Sequence, residues 1–209
     1  GSTANDVTDS TNNTTETVSK KTLDVTKFTY NPTTKVYDGT TAKPSGFAVT
    51  ATTTSGLLSG DSVTVSYTGA VYNNANVASA NKITVSGMTI SGTNAGDYQL
   101  SATSREVAAT ITKKASTTSV TITGTNTYGS KLTADYETDG DGLVTYQWYK
   151  ESISDSNKIS GATSQDYTIG TGLAGKKIYV KVTVANGTNY TGSTANDVTD
   201  STNNTTETV

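Results

Sequence analysis

A chain of 209 residues with a formal charge of −3, no histidine and no cysteine is cut off from most enzyme chemistry before any element is placed. Histidine is the commonest general base, cysteine is a ready nucleophile, and together they supply the usual transition-metal ligands. The 15 Lys and Arg residues are spread thinly among 18 Asp and Glu, so no basic stripe exists to displace counterions from nucleic acid.

Apolar residues make up only 32% of the chain, yet Val, Ile and Tyr fall in short alternating runs. That period of two, with Gly, Asn and Asp between runs and almost no proline, predicts an all-β protein of thin β-sandwiches with almost no helix. No apolar run reaches the length of a membrane span, and neither a signal peptide nor a sorting tail is expected in an internal fragment. The expectation is an internal fragment of an exported protein, anchored elsewhere in its parent.

The first eighteen residues, GSTANDVTDSTNNTTETV, return letter for letter at 192–209. Subtracting 1 from 192 gives a period of 191 residues. That is too long for a solenoid repeat and right for one or two domains. The predicted parent repeats this unit in tandem. Residues 9–18 are short, polar and acidic and read as a linker.

From Lys20 the pattern changes. Leu23 and Val25 open a strand that Phe28 and Tyr30 extend, and Asn31-Pro32 punctuates it. Asp38-Gly39 is a turn, Phe47 and Val49 mark a strand, and Val63, Val65 and Tyr67 alternate after Gly60-Asp61. Ile83 and Val85 alternate, Gly87 interrupts, Met88 and Ile90 resume, and Tyr98 and Leu100 follow the Gly96-Asp97 turn. Val107, Ala109 and Ile111 close an all-β domain at 19–114.

These residues resemble the YDG domain, a repeat module of large bacterial surface proteins. The resemblance rests on Val36-Tyr37-Asp38-Gly39-Thr40, Ser59-Gly60-Asp61, Thr89-Ile90-Ser91-Gly92, Asn94-Ala95-Gly96-Asp97-Tyr98 and the exit Ala109-Thr110-Ile111-Thr112-Lys113-Lys114. It implies an exported, repetitive, adhesin-like parent and no catalysis.

The second half restarts with Val120 and Ile122. Leu132, Ala134 and Tyr136 share a face, Asp139-Gly140-Asp141-Gly142 turns, and Val144, Tyr146 and Trp148 point one way. Tyr167 and Ile169 follow, then Ile178, Val180, Val182 and Val184 in strict alternation, with Asn186-Gly187 as a hairpin signal. Through Tyr146-Gln147-Trp148, Ile159-Ser160-Gly161-Ala162-Thr163 and the run from Gly175 to Thr183, residues 115–199 resemble bacterial Ig-like domains. The resemblance implies a sandwich centred on Trp148 and, without cysteine, held by packing alone. Such a sandwich needs one more strand, and 192–199 is the sequence left for it, with 200–209 as the linker to the next repeat. By identity, residues 1–8 are the closing strand of a preceding repeat, left loose or borrowed by a neighbouring molecule.

The remaining chemistry is carboxylate chemistry, and turn aspartates on a thin sandwich rarely build the cleft that glycoside hydrolysis needs. Asp139 and Asp141 are the calcium candidates, two carboxylates on one Gly turn, although they lack the other ligands of a calcium loop. Asp38, Asp61 and Asp97 each sit beside glycine, the ordinary chemistry of turns, and converge only if the fold brings them together. Tyr72 and Tyr190, next to Asn and Gly, are the candidate ligand surface, since aromatic faces can stack on sugars. A Lys–Asn or Lys–Asp amide cross-link would need a buried lysine, which sequence alone does not place.

The expected function is therefore that of a monomeric, non-catalytic stalk unit of a bacterial cell-surface adhesin. It would be extracellular, without cofactor, nucleic acid or membrane insertion, joined to adjacent copies of the same repeat. The alternative is a binding module for host glycan or for homophilic cell–cell contact in a biofilm.

Overall fold

The computed structural model of the chain describes residues 18–199. It is all-β, with helix limited to four single 3-10 turns among the described residues, as the alternation predicted. The expected remnant strand at 1–8, the linker at 9–17 and the linker at 200–209 lie outside the described residues.

The chain forms two compact units, and neither is one continuous stretch. Within the described residues the first unit gathers 18–31, 48–69 and 85–105, and the second gathers 32–47, 70–84 and 106–199. The chain passes from one to the other inside the strands Gly69–Tyr72 and Lys82–Ser86 and at the start of Arg105–Ala108. These strands make one sheet with Lys82–Ser86 in the middle.

The first unit is built from three-residue pairings. Lys21–Leu23 runs parallel to Tyr98–Leu100, Thr29–Asn31 antiparallel to Ala48–Thr50, and Thr64–Ser66 antiparallel to Thr89–Ser91. The strands stay short because turn residues cut them. Asp24 ends the first by accepting the Thr26 N–H at 2.9 Å and starting a 3-10 turn. Gly87, at φ +64°, separates Lys82–Ser86 from Thr89–Ser91, and a Cβ there would also collide with the Thr68 hydroxyl. The core of this unit is Leu23, Val25, Phe28, Val49, Val85, Met88 and Tyr98, all buried. Ser55 is a buried polar residue in the same unit, but its hydroxyl accepts the Thr52 N–H and donates to the Thr52 carbonyl, so its burial is compensated.

In the second unit, Thr34–Val36 runs parallel to Thr110–Thr112. Two three-stranded antiparallel sheets follow. One has Thr118–Gly124, Lys131–Thr138 and Asp166–Thr168 in that order; the other has Val144–Lys150, Ile178–Val184 and Ser193–Val198. They form a sandwich, because Leu132 and Ala134 of the first sheet share one buried cluster with Trp148, Ile178, Val180 and Val182 of the second. Along Ile178–Val184 the four residues read as inward are all buried and the three between them are half-exposed, the signature of a strand with one face in the core. Trp148 is fully buried, its indole N–H donates to the Ser164 carbonyl at 2.9 Å, and its ring stacks on Tyr167 at 5.5 Å between centroids. Tyr146 packs edge-on against Tyr136, and burial, aided by a hydrogen bond with Tyr136, pushes its hydroxyl up to about 12. Ser193–Val198 is the closing strand expected at 192–199, paired antiparallel with Ile178–Val184 from Ser193 opposite Val184 to Val198 opposite Tyr179.

Candidate functional site

The motif Val36-Tyr37-Asp38-Gly39-Thr40 lies in the second unit, where Thr34–Val36 ends. Tyr37 extends the parallel ladder by donating its N–H to the Thr112 carbonyl at 2.8 Å. The chain then turns. Asp38 Oδ1 accepts the Thr40 N–H and hydroxyl, each at 2.9 Å, and Gly39 supplies the φ of +77°. Lys35 closes the loop. Its Nζ donates to Asp38 Oδ1 at 2.7 Å, the Thr40 carbonyl at 2.9 Å and Thr40 Oγ1 at 3.1 Å, so the ammonium can be buried with acceptors for all three protons. The side chain is 9% exposed and Nζ sits 5.5 Å from the centroid of the Tyr72 ring. The Lys35 hydrogen bond, against some burial and with help from the Thr40 donors, holds the Asp38 carboxyl down to about 2. Asp38 and Lys35 are thus a loop lock.

The residues around Tyr37 explain why the loop is fixed. Its ring meets Tyr190 edge to face, with centroids 5.5 Å apart and planes at 71°. Tyr190–Thr191 is a short strand parallel to Lys114–Ala115. Asn189, one residue earlier, binds three separate segments. Its Oδ1 accepts the Val77 N–H at 3.0 Å, its Nδ2 donates to Asn76 Oδ1 at 3.2 Å, its N–H donates to Asp141 Oδ2 at 2.8 Å, and its carbonyl accepts the Lys114 N–H at 3.0 Å. Lys113 adds a bond from Nζ to the Gly187 carbonyl at 2.6 Å. Residues 186–191 are therefore a clasp, gripping 76–77, 113–116 and 139–142 of the same unit.

The turn aspartates serve the clasp. Asp139 Oδ1 accepts the Thr117 N–H at 2.7 Å and its Oδ2 accepts Lys114 Nζ at 3.0 Å, while that ammonium lies 5.4 Å from the Tyr190 ring centroid. The Thr117 N–H first, then Lys114, hold the Asp139 carboxyl below its ordinary value, and Asp139 in turn raises Lys114. A Cβ on Gly142 would collide with the Ala185 carbonyl, and one on Gly187 with Asp141, so both turns need glycine for close approach. The two acids are thus engaged separately, Asp139 by the Thr117 N–H and the Lys114 ammonium and Asp141 by the Asn189 N–H. Among the described residues no group of three or more His, Cys, Asp or Glu is arranged to hold a metal.

The other sequence-predicted residues have separate fates. Tyr190 is half-exposed and Tyr72 is 2% exposed, its hydroxyl shared between the Thr33 and Thr110 carbonyls at 3.0 Å each. The Tyr72 ring is inside the second unit, so the two tyrosines do not form a joint surface. The reason lies in the hydroxyl, which finds buried carbonyls and lets the ring follow it inward. Asp61 and Asp97 line one depression of the first unit with Asn94, Tyr98, Lys20 and Lys21. Tyr98 donates to Asp61, and that hydrogen bond, with burial, raises the Tyr98 hydroxyl above its ordinary value.

Residues 19–106 match the family model of the YDG domain. The matched residues take in the first unit from Ser19 to Arg105, together with 32–47, 70–84 and Glu106 of the second. Lys35, Asp38, Asn76 and Val77, and so the loop lock and one jaw of the clasp, fall within the matched residues; Lys114, Asp139 and Asn189 lie beyond them. Neither a curated protein nor a solved structure matches the chain.

Asn76 was not singled out by sequence, and nothing in the letters gave Asn189 the role of a clasp. Asn189 lies in an Asn-Gly-Thr-Asn-Tyr run that reads as hairpin chemistry. The one signal in the letters was the unexplained Tyr190 beside it.

Proposed function

We propose that this chain is a non-catalytic spacer, a tandem-repeat stalk unit of a bacterial cell-surface adhesin in which a YDG domain is followed by an Ig-like sandwich. The observation that carries the reading is the clasp at 186–191. Asn189, Tyr190 and Thr191 hold the segment 113–116, where the YDG domain gives way to the sandwich, by backbone pairing in which the Lys114 N–H donates to the Asn189 carbonyl and the Ser116 N–H to the Thr191 carbonyl. A bare connection of that length would be a swivel. Hydrogen bonded along its backbone and flanked by an aromatic pair and an ion pair, it becomes a fixed joint. A spacer needs fixed joints, because flexible ones let a tether coil and lose reach.

The absence of histidine and cysteine from the sequence, and the commitment of both turn aspartates to protein donors, are consistent with a mechanical role. The 191-residue period supplies the tandem arrangement. The reading is tested by small-angle scattering on chains of one, two and three repeats. A stalk gives a maximum dimension that rises in proportion to repeat number. Growth closer to its square root, the behaviour of a freely jointed tether, would refute it.

A further inference from the structure

The strand that closes the sandwich has a duplicate. Ser193–Val198 lies in a slot beside Ile178–Val184, and the features that identify it are side-chain specific. Asp197 Oδ2 accepts the Ile122 N–H at 2.6 Å. Thr199, 5% exposed, accepts the Ile178 N–H on Oγ1 at 3.2 Å and the Asn126 Nδ2 proton on its carbonyl at 3.0 Å. Ser193 Oγ bonds Ser116 Oγ at 2.8 Å and also meets the Thr118 hydroxyl. Gly192 is needed as well, because a Cβ there would collide with the Val184 carbonyl.

Each of these residues recurs 191 positions earlier, as Gly1, Ser2, Asp6 and Thr8, with every residue between them identical. The chain therefore carries this sequence twice and, among the described residues, one slot whose contacts read it. We infer that this slot is an exchangeable docking site whose alternative occupant is residues 1–8 of a second copy of this chain. Identical letters make identical contacts, so replacing one strand by the other changes no term except the entropy of association, the condition under which exchange of an element between copies is cheapest. Donor segment and slot are different surfaces, so one-way exchange is head-to-tail and builds open chains. The inference does not depend on the stalk reading.

The absence of cysteine makes a cross-linking test clean. Lys181 faces Asn196 across the strand pair, and Asn5 is the duplicate of Asn196. Directly opposed positions of this kind lie within the Cβ separation of a disulfide. In the full chain, K181C/N196C should oxidise within one molecule, and failure to do so would overturn the register of the pair. K181C/N5C, oxidised at high protein concentration, should give a disulfide-linked ladder of dimers and higher species on a non-reducing gel. Adding D6K removes the duplicate of the Asp197 bond and should cut the ladder by about tenfold or more, the effect of losing a hydrogen bond to a charged group. A K181C/N5C chain that stays monomeric and reduced, that closes only on itself, or whose ladder ignores D6K would overturn the inference.

Discussion

Asn189 Oδ1 accepts the backbone N–H of Val77 at 3.0 Å across 112 residues of sequence, and the same side chain donates to Asn76 Oδ1. One amide thus satisfies a loop that has no strand of its own to pair with. N189A leaves the half-buried Val77 N–H without this acceptor and should cost about 1–3 kcal/mol. Urea unfolding followed by tryptophan fluorescence checks it, with T188A, an exposed neighbour, expected within about 0.5 kcal/mol of wild type. Equal midpoints for the two variants would show that the clasp is not a source of stability.

The single tryptophan reports on the sandwich directly. Trp148 is fully buried, bonded to the Ser164 carbonyl and stacked on Tyr167. W148A should cost about 3–5 kcal/mol, since it removes the largest buried side chain and leaves a cavity. W148F keeps much of the volume but deprives the Ser164 carbonyl of a donor, so it should cost less than W148A and more than a surface change. Thermal melts by circular dichroism rank the three chains.

How much of this was legible follows from which force placed each residue. The strand Ile178–Val184 and the inward face of Trp148 could be read, because burial imposes a period of two and leaves a pattern in the letters. The closing strand at 192–199 could be read by counting strands. Tyr72 was misplaced because a tyrosine's ring follows the partner of its hydroxyl, and the Thr33 and Thr110 carbonyls are contributed by segments far away in sequence. The role of Asn189 was invisible for the same reason, as an ordinary hairpin turn and a clasp use the same polar letters. The partners of Asp139 and Asp141, which are Lys114, Thr117 and Asn189, are set by the fold and leave no pattern in the letters.

The Lys35–Asp38 lock should appear as a pH dependence of stability. The Asp38 carboxyl titrates at about 2 in the folded chain against an ordinary 3.8. Between those values the unfolded chain binds more protons, so stability rises with pH through the window. The contribution is complete above the unfolded value and is lost as pH falls through the folded one. Asp38 is half-exposed, so solvent screens the effect and its size is modest. Melting temperatures between pH 2 and pH 5 should fall less steeply for D38N than for wild type, and K35M should flatten the curve in the same way. Identical slopes for all three would mean that the lock does not survive in solution.

Glycine substitutions separate close packing from mere turn propensity. Gly142 has no positive φ requirement, so its glycine is needed only for space: a Cβ would strike the Ala185 carbonyl. That oxygen belongs to backbone, and the Ala185 N–H is itself bonded to the Leu143 carbonyl at 2.9 Å, so it cannot retreat without breaking the ladder. The turn 139–142 must move instead, carrying Asp141 away from the Asn189 N–H. G142A should therefore destabilise by about 1–3 kcal/mol, the usual cost of overpacking. Gly96 is the control, since a Cβ there would meet nothing within 4 Å and its φ is not positive. G96A should be neutral or stabilising by up to about 1 kcal/mol through the unfolded chain. Combining G142A with N189A discriminates further. G142A strains the bond from Asp141 to the Asn189 backbone N–H, and N189A removes the side-chain bonds that hold the same residue to 76–77, so the double variant should cost less than the sum of the two single costs, whereas strictly additive losses would show that the turn and the clasp are independent.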